Sequence, residues 1–92
     1  MIATLNVEQK KWEAIVQAGA QILHLPAKGQ RVDLHALMQW LTDQHCNEVL
    51  VEAGPTLAGA FLRAGLVDWI TIYMAPSLLG SNARPLFDLP LE

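Results

Sequence analysis

The sequence is short of several things at once. Its 92 residues contain a single cysteine, Cys46, which excludes an internal disulfide and points to a reducing, cytoplasmic compartment. Charged residues make up only 16% of the chain, and its six Lys and Arg form no cluster beyond Lys10-Lys11. That distribution argues against a surface for nucleic acid. No apolar run approaches the roughly 20 residues that a membrane-spanning helix needs. The opening, Met1-Ile2-Ala3-Thr4-Leu5-Asn6, has neither the basic start nor the long apolar stretch of a secretory leader. Internal repeats, linkers and low-complexity stretches are lacking too.

What the chain does have is apolar residues. They make up 52% of it, with a net charge of −3, and that balance excludes an intrinsically disordered chain. A chain this short holds one domain at most. Small domains bury a limited share of their surface. The sequence is therefore expected to be either a fragment of a larger domain or a subunit that buries apolar surface against a partner.

Helix and strand signals alternate. Residues 8–18 predict a helix, with Trp12, Ile15 and Val16 on one stripe and Gly19 placed as a C-terminal cap. Residues 20–25 predict a strand, ended by Pro26 and Gly29. Residues 33–45 give the clearest helix: Asp33 is a good N-cap, and Leu34, Leu37, Met38 and Leu41 fall on one face. The run 48–52, with three consecutive apolar residues, predicts a strand covered on both faces. Pro55 is favourable at the start of a third helix, whose face is Leu57, Phe61 and Ala64 and whose stop is Gly65. Residues 69–75 predict a last strand, ended by Pro76. The expected order is α-β-α-β-α-β, a piece of an open α/β sheet with parallel strands. The tail from Ser77 to Glu92 is apolar without a regular period, so it is expected to pack on this sheet, on missing strands or on another subunit.

The strongest candidate site is the junction Val51-Glu52-Ala53-Gly54-Pro55-Thr56-Leu57-Ala58-Gly59-Ala60. A strand end followed by glycine and a helix start is where open α/β sheets bind ligands. The unpaired N–H groups and partial positive charge of a helix N-terminus suit a phosphate. The alternative is a plain strand–helix turn that needs glycine for its dihedrals. The segment lacks Gly-x-Gly-x-x-Gly, and Ala60-Phe61 stand where a P-loop has Lys-Ser/Thr. Glu52, a carboxylate beside this anion site, either accepts N–H or O–H groups of a ligand or caps nearby backbone amides.

Other candidates are weaker. His45 and Cys46 are adjacent and diverge on a helix, while His24 and His35 have no companion at ligand spacing, so no metal site is expected. Ser77 lacks the frame of a nucleophilic serine. Trp12 and Trp40 read as packing residues. Asp68 reads as the opening of a strand or the cap of a local turn.

Three linked stretches are more specific in combination. Val51-Glu52-Ala53-Gly54-Pro55-Thr56-Leu57-Ala58-Gly59, then Ala64-Gly65-Leu66-Val67-Asp68, then Met74-Ala75-Pro76-Ser77-Leu78-Leu79-Gly80 resemble the reductase domain of the riboflavin-biosynthesis bifunctional deaminase/reductase. The run Asp33-Leu34-His35-Ala36-Leu37-Met38-Gln39-Trp40-Leu41 resembles its enterobacterial form. The likeness covers residues 31–92 closely and the first 30 more loosely.

That resemblance implies a dihydrofolate-reductase-like fold. It implies reduction of the ribosyl group of 5-amino-6-(5-phosphoribosylamino)uracil to ribityl, with NADPH as hydride donor. It places the cofactor phosphates at Gly54, Pro55, Thr56, Leu57, Ala58, Gly59 and Ala60, and the pyrimidine substrate at Glu52. It names no proton donor. Two departures stand out: Ala53-Gly54 where relatives often have Gly-Gly, and Asp68-Trp69 where they commonly have Asp-Glu. The resemblance also implies that the zinc deaminase domain, the first half of the reductase domain and its final strands lie outside these 92 residues. The expected function is that reductase activity in the complete protein, with a homo-oligomer as its form. The rival is a non-catalytic nucleotide-binding or oligomerisation module that keeps only the scaffold.

Overall fold

Three residues at the start of the chain, Ile2–Thr4 (β1), lie parallel to Ile22–His24 (β2), with Ile2 opposite Ile22 and Thr4 opposite His24. Parallel neighbours need a crossover between them, and here it is the helix α1, Gln9–Gln17. The computed structural model describes residues 1–5 and 9–90, with only the backbone given for 9 and 10. The first residue of the expected 8–18 helix therefore lies outside the described residues. The chain divides into two units, Met1–Asn47 and Glu48–Glu92.

In the first unit the ladder is extended at both ends, by the Ile2 amide on the Gln21 carbonyl at 2.7 Å and the Leu25 amide on the Thr4 carbonyl at 3.0 Å. Helix α1 ends as its sequence predicts. Gly19 takes φ 92°, its amide donates to the Val16 carbonyl, and the Ala20 amide donates to Ile15. This paired closure needs a left-handed residue just past the helix, which glycine adopts without a steric penalty. Of the expected stripe, Ile15 is half-buried, while Trp12 and Val16 are exposed. The Trp12 ring meets the His24 ring edge-on at 5.4 Å.

A hairpin follows that the residue pattern does not signal. Ala27–Lys28 (β3) and Arg31–Val32 (β4) pair antiparallel around Gly29 and Gln30. Gly29 has φ 67°, the positive value that the first position of a two-residue hairpin turn demands. The next helix, α2, runs Leu34–Asp43. It starts where it does because Asp33 Oδ1 accepts the amides of His35 at 2.9 Å and Ala36 at 3.3 Å. The predicted face of Leu34, Leu37, Met38 and Leu41 is half-buried, and His35, Gln39 and Thr42 are exposed.

The second unit contains α3, Pro55–Arg63. Its C-terminus repeats the closure of α1, with Gly65 at φ 69° and the Leu66 amide on the Phe61 carbonyl at 3.1 Å. Phe61 is the single buried apolar side chain among the described residues.

The strands expected at 48–52 and 69–75 are corrected by the structure: both segments are irregular. A strand exists only through ladder hydrogen bonds to a neighbour, and among the described residues neither run has a paired one. Their apolar residues stay exposed instead, Leu50 at 82%, Trp69 at 91% and Tyr73 at 95%. The order is β-α-β-β-β-α-α rather than strict alternation. The architecture is α/β, with helices and a small parallel sheet of two strands, and a separate two-stranded hairpin.

Candidate functional site

Helix α3 opens without any side chain to close it. Its N-cap is Gly54, which supplies no side-chain oxygen, and Pro55 at the first position has no N–H to offer. The Ala58 amide is already bonded to the Gly54 carbonyl at 3.1 Å. The helix geometry thus leaves the Thr56 and Leu57 amides facing outward from the first turn. No acidic residue sits in that turn, while Arg63 sits in the last one. The partial positive charge at the N-terminus is therefore not neutralised by the helix's own side chains, and Arg63 complements the opposite end.

Gly54 has φ −69° and ψ 174°, an extended conformation that any residue adopts. A β-carbon there would meet no atom within 4 Å. Glycine at this position is required neither by the backbone dihedrals nor by a neighbouring atom among the described residues. The dihedral requirement of the plain-turn reading is thus not met at Gly54. What a bare N-cap leaves is room for a ligand to approach the first-turn amides.

The seven residues expected at the cofactor site do not all share this environment. Gly54, Thr56 and Leu57 are exposed, Pro55, Ala58 and Ala60 are half-buried, and Gly59 is buried. Gly59 is covered by the chain itself. A β-carbon on it would collide with the Asp88 carbonyl and lie 2.9 Å from the carbonyl carbon. The Asp88 amide also donates to the Pro55 carbonyl at 3.0 Å. This contact with the tail carried no signal in the sequence, because it is made by backbone atoms alone.

Glu52 sits two residues before the cap, in the same exposed stretch as Ala53 and Gly54. The expectation that it ends a buried strand is corrected with that strand. Its carboxylate is solvent-exposed rather than held in an apolar wall. Cys46 is a free, exposed thiol, and it and His45, expected on a helix, lie instead just past the end of α2, with His45 at φ 64°. Among the described residues no helix is long and apolar enough to cross a membrane.

Comparison with known proteins bears on the same segment. The RibD C-terminal domain family matches residues 1–91. The chain is 47% identical over 88 residues to the riboflavin biosynthesis protein RibD of Escherichia coli, covering 96% of this chain and 23% of that protein. It is 40% identical over 57 residues to the 5-amino-6-(5-phosphoribosylamino)uracil reductase of Buchnera aphidicola subsp. Acyrthosiphon pisum, covering 62% of this chain and 28% of that one. The RibD protein of Haemophilus influenzae is 49% identical over 57 residues, covering 62% of this chain and 15% of that one. The chain thus spans about a quarter or less of the E. coli and H. influenzae proteins and 28% of the Buchnera reductase.

Proposed function

The chain belongs to the RibD C-terminal domain family, and from that membership we propose that it serves the reductase step of riboflavin biosynthesis. In this reading the 92 residues are a stretch of one reductase domain with a dihydrofolate-reductase-like fold. The domain reduces the ribosyl group of 5-amino-6-(5-phosphoribosylamino)uracil to ribityl. The name of the Buchnera relative supports the substrate and the reaction class.

The observation that carries the reading is the uncapped start of α3. A helix end with a bare glycine cap, no acidic residue in its first turn and two outward amides fits the pyrophosphate of a nicotinamide nucleotide. NADPH, when bound, supplies the hydride. The work of this chain is binding and orientation. The Thr56 and Leu57 amides would donate to phosphate oxygens, with the Thr56 hydroxyl beside them. Glu52, just before the cap, would accept N–H groups of the pyrimidine. The location proposed is the cytoplasm, consistent with an exposed and unbridged Cys46.

A second reading concerns assembly. Within Glu48–Glu92, Trp69, Tyr73, Met74, Leu78 and Leu79 are all highly exposed. Exposed large apolar side chains in such number suit an association face. A homo-oligomer built on it is compatible with the reductase reading and with the non-catalytic one, a nucleotide-binding or oligomerisation module.

Calorimetric titration of NADPH into the purified chain separates these, with the oligomeric state measured alongside. Saturable binding that is lost in Gly54→Trp supports the cofactor site. A discrete folded species that takes up no NADPH favours the assembly module.

A further inference from the structure

We infer that the backbone around Asp88 is a strap that positions α3 for its phosphate, and that Gly59 is the seat of that strap rather than a phosphate contact. Three observations meet here. The Asp88 amide donates to the Pro55 carbonyl at 3.0 Å. The Asp88 carbonyl occupies the space that a side chain on Gly59 would fill. Gly59 is buried, while Gly54, Thr56 and Leu57 remain exposed.

Pro55 and Gly59 are four residues apart and so lie on one face of the helix. The Asp88 backbone spans both, across the first two turns. The strap thus holds the face of α3 that a phosphate does not use and leaves the uncapped end open. It crosses the helix by main chain only, and such close approach requires a residue without a β-carbon. Gly59 has no other need of glycine, since it lies inside the helix, where glycine is unfavourable relative to alanine. Electrostatic binding at a helix end depends on amides held in fixed directions. A hydrogen bond from outside the helix to its first carbonyl restrains that turn.

The inference rests on the cofactor reading of α3, and its test keeps the two apart. Three single substitutions are made in the intact protein. Asp88→Pro removes the amide that donates to Pro55. Gly59→Ala places a methyl group against the Asp88 carbonyl. Asp88→Ala keeps the amide and serves as control. Hydrogen–deuterium exchange is followed across residues 59–63, with α2 as the internal reference, and the NADPH dissociation constant is measured by fluorescence titration.

Asp88→Pro and Gly59→Ala are expected to speed exchange in α3 by roughly three- to tenfold, the effect of one net hydrogen bond, with α2 unchanged. NADPH is expected to bind weaker by a similar factor, and Asp88→Ala to match the unsubstituted protein. Unchanged exchange in α3 for both Asp88→Pro and Gly59→Ala overturns the strap. Faster exchange with unaltered NADPH affinity overturns its positioning role. Absence of NADPH binding by the unsubstituted protein overturns the cofactor reading, and the exchange comparison then decides the strap by itself.

Discussion

His45 and Gly65 hold equivalent places at the ends of two helices. His45 has φ 64° and Gly65 φ 69°. In each case the residue's own amide bonds back to a carbonyl three residues earlier, Thr42 or Leu62. The following amide, of Cys46 or Leu66, then reaches back to Leu41 or Phe61. Glycine takes this left-handed conformation freely, and histidine pays for it in steric crowding of its β-carbon.

Replacing His45 with glycine is therefore expected to stabilise the chain. The expected gain is about 1 kcal/mol, the usual difference between glycine and another residue in left-handed backbone. Urea unfolding followed by helical circular dichroism measures it as a higher midpoint at unchanged slope. A midpoint that falls shows that the His45 side chain contributes something the exposed site does not reveal.

At the other end of α2, Asp33→Ala should cost roughly 1 kcal/mol, the typical loss of an N-cap oxygen. Asp33 Oδ1 serves the amides of both His35 and Ala36. Asp33→Ser should recover most of the loss, because serine presents an acceptor at the same place. Equal destabilisation by both would assign the effect to something other than capping.

Helix α2 was legible in the sequence because all of its signals are local. The cap at Asp33, the spacing of Leu34, Leu37, Met38 and Leu41, and its end near Asp43 need no distant partner. Helix α3 was legible for the same reason, through Pro55 and Gly65. The runs at 48–52 and 69–75 have the composition of strands, but composition supplies no ladder. The β3–β4 hairpin went unread because charged Lys28 and Arg31, not alternating apolar residues, flank its turn. Of the candidate site, the open end of α3 was readable and the cover over Gly59 was not. That cover joins backbone atoms far apart in sequence.

Glu52→Gln in the intact protein is expected to raise the KM for the pyrimidine substrate by about tenfold or more, since a charged acceptor in a hydrogen bond is worth more than a neutral one. The NADPH dissociation constant should move by much less. Equal changes in both, or none, would remove Glu52 from the substrate side of the site.

The exposed run around Trp69 and Leu78 gives a prediction about association. Trp69→Ser together with Leu78→Ser should shift sedimentation of the purified chain toward the monomer, since both side chains are almost fully exposed. An unchanged distribution across a tenfold range of concentration would place the contact elsewhere.

Phe61 also has a calorimetric consequence. The rise in heat capacity on unfolding comes mainly from apolar surface newly exposed to water. With Phe61 the one buried apolar side chain among the described residues and Trp69 and Tyr73 already exposed, melting uncovers less apolar surface than a fully packed core would. The excess heat absorbed by the isolated chain should therefore be spread over a broad temperature range, with a small step in baseline between the cold and hot sides. A partner that covered Trp69, Tyr73 and Leu78 would enlarge that step and sharpen the melt, so a scanning calorimeter would report such a cover without any need to know its identity.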